Sequence, residues 1–327
     1  MPLRFRTAGV DVGGTNLKVA LLWSDGTVIA ARQIPTHAEA GPEQGCRRII
    51  ETLQALAQEH GHGAEDLGAI GVDSAGLVDH EHNLVLDSPN LRGWERFPLA
   101  ERIGAAFGAP VQLENDVNAM AYGEWRLGAG RGTRHMLCLA LGTGVGGGLI
   151  LDGRLYRGAH GAAAELGHTT LDLHGPQCSC PNVGCLERHI GAEYIATRAR
   201  EKLAASERPS RLRELPAAAI TPRSISEAAA GGDELAAEVW TEVGTLLGQG
   251  LVSLVNIFDP ERVVIGGGVA KAGERLFEPA RRVVRARAMS LAARTEIVPA
   301  ALGDDAGLVG ATLLAVERAG GAAGATP

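Results

Sequence analysis

Phe5-Arg6-Thr7-Ala8-Gly9-Val10-Asp11-Val12-Gly13-Gly14-Thr15-Asn16-Leu17-Lys18-Val19-Ala20-Leu21-Leu22-Trp23 reads as two short strands joined by a glycine turn. Strands are expected over residues 5–11 and 17–23, and Asp25-Gly26 turns the chain into a third over 27–33, completing an antiparallel meander. Residues 42–60 follow as a helix with Ile49, Leu53, Leu56 and Ala57 on one face and Gly61 as its stop. Strand-like runs at 68–73 and 111–113 flank a helix over 99–107, so the first domain reads as α/β.

From Met136 the pattern begins again. A strand over 136–141, a Gly142-Thr143-Gly144 turn, a strand over 147–151 and an Asp152-Gly153 turn echo the opening of the chain and suggest an internal duplication. Over 234–258, Leu235, Val239, Val243, Leu247, Leu251 and Val255 recur every fourth residue, the stripe of a core helix that Asp259-Pro260 ends. A strand over 262–265 runs into Gly266-Gly267-Gly268, and a last helix starts at Ala306. The expected domains are 1–116, completed by a C-terminal helix at about 305–318, and 117–304, which carries a cysteine-rich insertion at 165–187; residues 319–327 read as a disordered Gly/Ala tail.

Composition limits the setting. At 327 residues and 45% apolar, the chain can bury two cores, and two domains imply a cleft. The net charge is −7 and the 31 basic residues are scattered, so nucleic acid is not expected as a partner. No apolar run reaches the roughly 18 residues of a membrane span, and Arg4, Arg6 and Asp11 interrupt any signal-peptide core; a cytoplasmic protein without a membrane partner is expected. The five cysteines are odd in number, with three clustered beside a histidine, which fits a reducing compartment.

That cluster lies in Glu165-Leu166-Gly167-His168 and Cys178-Ser179-Cys180-Pro181-Asn182-Val183-Gly184-Cys185-Leu186-Glu187. His168, Cys178, Cys180 and Cys185 are the ligand set of a closed tetrahedral zinc site that shapes rather than reacts. Disulfides among the three cysteines, or unrelated thiols, are the alternatives, although a Cys-x-Cys pair strains a disulfide more than a metal.

Three glycine turns carry a second chemistry. Asp11-Val12-Gly13-Gly14-Thr15, Gly142-Thr143-Gly144-Val145-Gly146 and Gly266-Gly267 each let backbone amides approach an anion, which points to a nucleotide. No G-x-x-x-x-G-K-[ST] loop is present, and no acidic context marks a dinucleotide fingerprint. Glu114-Asn115-Asp116 closes a strand and opens a helix. Asn115 or Asp116 would serve as a cap there, and Asp116 is also poised as a general base for a hydroxyl proton.

In this order and over nearly the whole length, these motifs resemble the ROK family (repressor, open reading frame, kinase) of sugar kinases and regulators. The resemblance implies the actin-like ATPase and hexokinase fold, two α/β domains with an interdomain cleft that holds ATP, with Mg2+, a structural Zn2+ and a homodimer or homotetramer. It implies that Asp116 is the catalytic base, that Gly76, Asn90, Asn115, Glu165, His168 and Glu187 contact the sugar, and that His168 also ligates zinc. It places Asp11 near magnesium, and Gly13, Gly14, Thr15, Asn16, Gly142, Thr143, Gly144, Val145, Gly146, Gly266 and Gly267 around ATP. Two departures stand out: Pro181 where relatives commonly have Gly, and Asn16 where many have Lys.

The resulting expectation is an ATP-dependent hexose kinase, most like the glucokinases of the family, acting at the sugar's 6-hydroxyl. Kinases of N-acetylmannosamine, N-acetylglucosamine or fructose are the alternatives. A sugar-sensing regulator is disfavoured, since Asp11 stands so near the start that no DNA-binding head is expected before it.

Overall fold

The computed structural model describes residues 4–88, 91 and 93–324. The chain divides into two compact units, one of Met1–Arg131, Leu155–Ala163 and Asp304–Pro327, the other of Gly132–Arg154 and Ala164–Gly303.

The first unit holds β1 (Arg6–Val12), β2 (Asn16–Trp23), β3 (Val28–Pro35), α1 (Pro42–Glu59), β4 (Leu67–Ser74), β5 (Leu77–Asp79), β6 (Leu84–Asp87), α2 (Leu99–Phe107), β7 (Val111–Asn115) and α3 (Asp116–Arg126). Its main sheet runs β3-β2-β1-β4-β7: the meander pairs antiparallel, then β4 and β7 add in parallel to β1. Apolar residues of these strands meet Ile49 and Leu53 of α1 and Leu99 and Ile103 of α2 in one core.

The second unit holds β8 (Met136–Leu141), β9 (Val145–Leu151), the start of β10 (Arg154–Leu155), α4 (Glu187–Ile190), α5 (Ala192–Ala204), α6 (Pro222–Ala230), α7 (Glu234–Phe258), β11 (Arg262–Gly266), α8 (Glu274–Arg287) and β12 (Glu296–Pro299). Its sheet runs β10-β9-β8-β11-β12, with β8–β9 antiparallel and β8–β11–β12 parallel. This is the first unit's order repeated, so the duplication read from the glycine turns is a duplication of sheet topology. The α7 stripe is buried as expected, against Leu276 and Phe277 of α8 and the strands.

The chain's last helix, α9 (Ala306–Gly324), belongs to the first unit. It corrects two expectations. The boundary falls after Arg131 rather than at Asp116, because α3 packs on α9 backbone to backbone: a Cβ on Gly310 would stand 1.7 Å from the Ala119 carbonyl oxygen, and one on Gly123 2.5 Å from that of Ala306. Only glycine at both positions allows this approach. The helix also runs to Gly324, so residues 319–324 are not a disordered tail. Leu155–Ala163 likewise lies in the first unit, where Arg157 pairs with the buried Glu114 at 2.7 Å. The insertion at 165–187 lies in the second unit as expected. Among the described residues no helix is long and apolar enough to cross a membrane.

Candidate active site and metal centre

In the first unit the junction of β7 and α3 sets Asp116. Asn115 is the N-cap of α3: its Oδ1 accepts from the backbone N–H of Val117 and of Asn118, each at 3.0 Å. Its Nδ2 donates to the Gly76 carbonyl and to Asp116 Oδ1, again at 3.0 Å each. The sequence left cap and site as alternatives for this pair; Asn115 is the cap, and the same side chain fixes Asp116. Burial raises the Asp116 carboxyl to about 6, the Val117 N–H opposing and the Asp11 charge adding to the rise. Its ionisation therefore falls near neutral pH, where a base for a hydroxyl is useful.

Gly76 takes φ +101, and a Cβ there would lie 2.2 Å from the Asp87 carbonyl, so the backbone passes close to β6 as only glycine can. Asn90 lies outside the described residues. The Gly13-Gly14 turn is closed by the Gly13 N–H donating to Asn16 O at 3.1 Å. Thr15 and Asn16 are exposed beside it.

Sequence reasoning missed Asp73, at the end of β4. It pairs in register with Asp11 of β1, is 1% exposed, and its carboxyl lies against that of Asp11. Burial, then the charges of Asp11 and Asp116, pushes its pKa well above the usual carboxylate range. Burial likewise raises Asp11, against the lowering effect of its contact with Asp73 and of the Lys18 charge. The available signal was a carboxylate at the C-terminal end of an otherwise apolar run.

In the second unit the remaining motifs converge. Gly267, at φ +87, lies so close to the end of β8 that a Cβ would stand 2.4 Å from Leu141 O, which brings the Gly266-Gly267 turn beside Gly142. Glu187, the first residue of α4, accepts from the Val145 N–H at 2.9 Å, and the Ala192 N–H donates to Gly142 O at 2.9 Å. The Gly142–Gly146 turn is thus held at both ends by residues that follow the cysteine knuckle. Ala164, at φ +70, bends the chain into Glu165, and Gly167 tucks under β9 where a Cβ would stand 1.9 Å from Val145 O.

The metal ligand set is assembled. The donor atoms of His168, Cys178, Cys180 and Cys185 lie within 4.8 Å of one another. Cys178 Sγ is 3.5 Å from His168 Nδ1 and Cys180 Sγ 3.7 Å from Cys185 Sγ. A tetrahedral zinc with ordinary bond lengths requires edges of about 3.8 Å between sulfurs and about 3.6 Å from sulfur to nitrogen. Burial and the neighbouring Cys178 and Cys180 thiols push Cys185 up to about 12, so it stays a thiol unless a cation among the three sulfurs favours the thiolate. The donors fit zinc. Pro181 does not disturb the knuckle, because the closing bond is donated by Cys178 N–H to Asn182 O at 3.0 Å.

The chain is similar to known proteins over nearly its whole length. The chain is 37% identical over 321 residues to a glucokinase of Thermotoga maritima, covering 97% of this chain and 99% of that one. It is 34% identical over 319 residues to a glucokinase of Streptomyces coelicolor, covering 95% and 98%. A ROK family glucokinase from Streptomyces griseus, solved in complex with glucose and AMPPNP, superposes with a TM-score of 0.80 at 34% identity, over 95% of this chain and 99% of that one. The architecture is accordingly the actin-like ATPase and hexokinase fold. The family model described as "ROK family" matches residues 7–318, and the chain belongs to that family.

Proposed function

We infer that this protein is an ATP-dependent glucose kinase that transfers the γ-phosphoryl group to the sugar's 6-hydroxyl with Asp116 as general base. The observation that carries the reading is the half-buried Asp116 carboxyl, set by the Asn115 cap and raised to about 6. Phosphoryl transfer asks a protein mainly to position groups and stabilise charge. In this reading Asp116 takes the hydroxyl proton, and Asn115 keeps its carboxylate aimed. Glu165, His168, Glu187 and Asn90 contact the sugar, and the turns at Gly13–Asn16, Gly142–Gly146 and Gly266-Gly267 receive the phosphates. The glucokinase names of the relatives support glucose as the acceptor and the AMPPNP complex supports an adenine nucleotide as donor.

Two metals belong to the reading. Zinc on His168, Cys178, Cys180 and Cys185 would be structural, holding the segment that carries Glu187. Asp11 would hold magnesium, whose charge counters that of the phosphates when it is bound; the facing carboxyls of half-buried Asp11 and buried Asp73 fit such a hard cation.

The test is kcat/KM for glucose, mannose, fructose, N-acetylglucosamine and N-acetylmannosamine with ATP and magnesium, with Asp116→Asn as the control. A lead for glucose of about tenfold, roughly 1.4 kcal/mol of transition-state preference, supports the assignment. An N-acetyl sugar leading would overturn it.

A further inference from the structure

Lys18, Asp11 and Asp73 stand in register across β2, β1 and β4, so their side chains share one face of the sheet. Asp73 is 1% exposed and its Oδ2 meets no hydrogen-bond donor. Its Oδ1 faces the first turn of α9, where a Cβ on Gly307 would stand 3.3 Å away. The start of a helix favours an anion at that place. Compensation is nonetheless incomplete. Lys18 is ion-paired with Asp305, and Asp116 adds a third carboxylate close enough to repel Asp73. A buried carboxylate with an unused oxygen is costly unless a proton or a cation neutralises it.

We propose that Asp11 and Asp73 together bind one hard divalent cation, with the unpartnered oxygen of Asp73 as a direct ligand. All the donors are carboxylate oxygens, the set that magnesium and manganese prefer. Two carboxylates leave the remaining coordination positions to water and to phosphate oxygens, as magnesium sites on nucleotide enzymes require. The role of this cation in catalysis rests on the kinase reading; its binding to the free protein does not.

The experiment is a titration of the nucleotide-free, zinc-loaded protein with Mn2+ alone, followed by water-proton relaxation, with Mg2+ as competitor. Mn2+ favours oxygen donors over the thiolate cluster. Wild type is expected to bind one Mn2+ that Mg2+ displaces, and both Asp73→Asn and Asp11→Asn to weaken binding at least tenfold. Asparagine keeps the size of Asp73 and can donate to Asp11, so a carboxyl present only as a protonated structural donor would lose nothing on this replacement. Wild-type affinity in Asp73→Asn, with melting temperature retained, would overturn the proposal, as would the absence of Mn2+ binding by the wild type. Failure of the kinase reading would show instead as no sugar phosphorylation with the Mn2+ titration unchanged.

Discussion

Glu187 accepts the Val145 N–H at 2.9 Å, and the same oxygen, Oε2, lies 2.5 Å from where a Cβ on Gly144 would stand. One carboxylate therefore holds the C-terminal end of the Gly142–Gly146 turn, two residues after Cys185 of the His/Cys cluster. A hydrogen bond to a charged acceptor contributes about 1.5–3 kcal/mol. Glu187→Ala is expected to raise KM for ATP about tenfold or more, beyond any effect on sugar binding. Glu187→Gln, whose amide oxygen can still accept from Val145, should recover most of the nucleotide affinity. Equal ATP affinity in the wild type and Glu187→Ala would remove Glu187 from this role.

Asp116 should govern both rate and pH dependence. Asp116→Asn is expected to lower kcat by at least about a hundredfold while sugar still binds. The kcat/KM profile of the wild type should fall on the acid side with an apparent pKa of about 6, as the base takes up a proton. Stability has the opposite dependence. The folded-state value lies above the ordinary 3.8, so the folded chain binds the extra proton between the two values. Stability then declines as pH rises from about 4 to about 6 and stays lower above it. The shift amounts to at most about 3 kcal/mol, so Asp116→Asn should melt higher than wild type at pH 8 and lose that advantage near pH 4. Thermal melts at the two pH values decide this.

The glycine turns and the apolar periods made the meander, α1, α2 and α7 legible, because turn residues and face periodicity are local properties. Which unit a helix joins is not local. The boundary at Asp116 failed because α3 and α9 meet through Gly123 and Gly310, glycines whose significance lies in a contact between distant segments. The short β5–β6 pair, α5, α6, α8 and β12 were not foreseen either; β5 spans Leu77–Asp79, too short for a pattern to emerge. At the candidate site, the residues named from the sequence stand in motifs legible along the chain, whereas Asp73 reads as a strand end, since its proposed role comes from its register with Asp11.

Zinc should behave as part of the fold. Cys180→Ser is expected to lower zinc content and melting temperature together, because a structural metal's binding energy is folding energy. A strong chelator should lower the wild-type melting temperature in the same direction. Metal analysis of the purified wild type is the decisive measurement, and protein that is fully folded yet free of zinc would refute the assignment.

Gly167 ties these parts together sterically. A Cβ at this position would stand 1.9 Å from the Val145 carbonyl oxygen, and backbone on both sides would have to move. Overpacking of this kind costs about 1–3 kcal/mol. The strain would fall on the Glu165–His168 turn and on Val145, whose amide is bound by Glu187. Gly167→Ala should therefore lower the melting temperature, reduce zinc retention through His168 and raise KM for sugar and ATP together. Gly268→Ala is the matched control: a Cβ there meets nothing within 4 Å, and its φ of −62° suits any residue. Its melting temperature should match the wild type, and equal melting of the two variants would show that the approach of Gly167 to β9 is not what holds the turn.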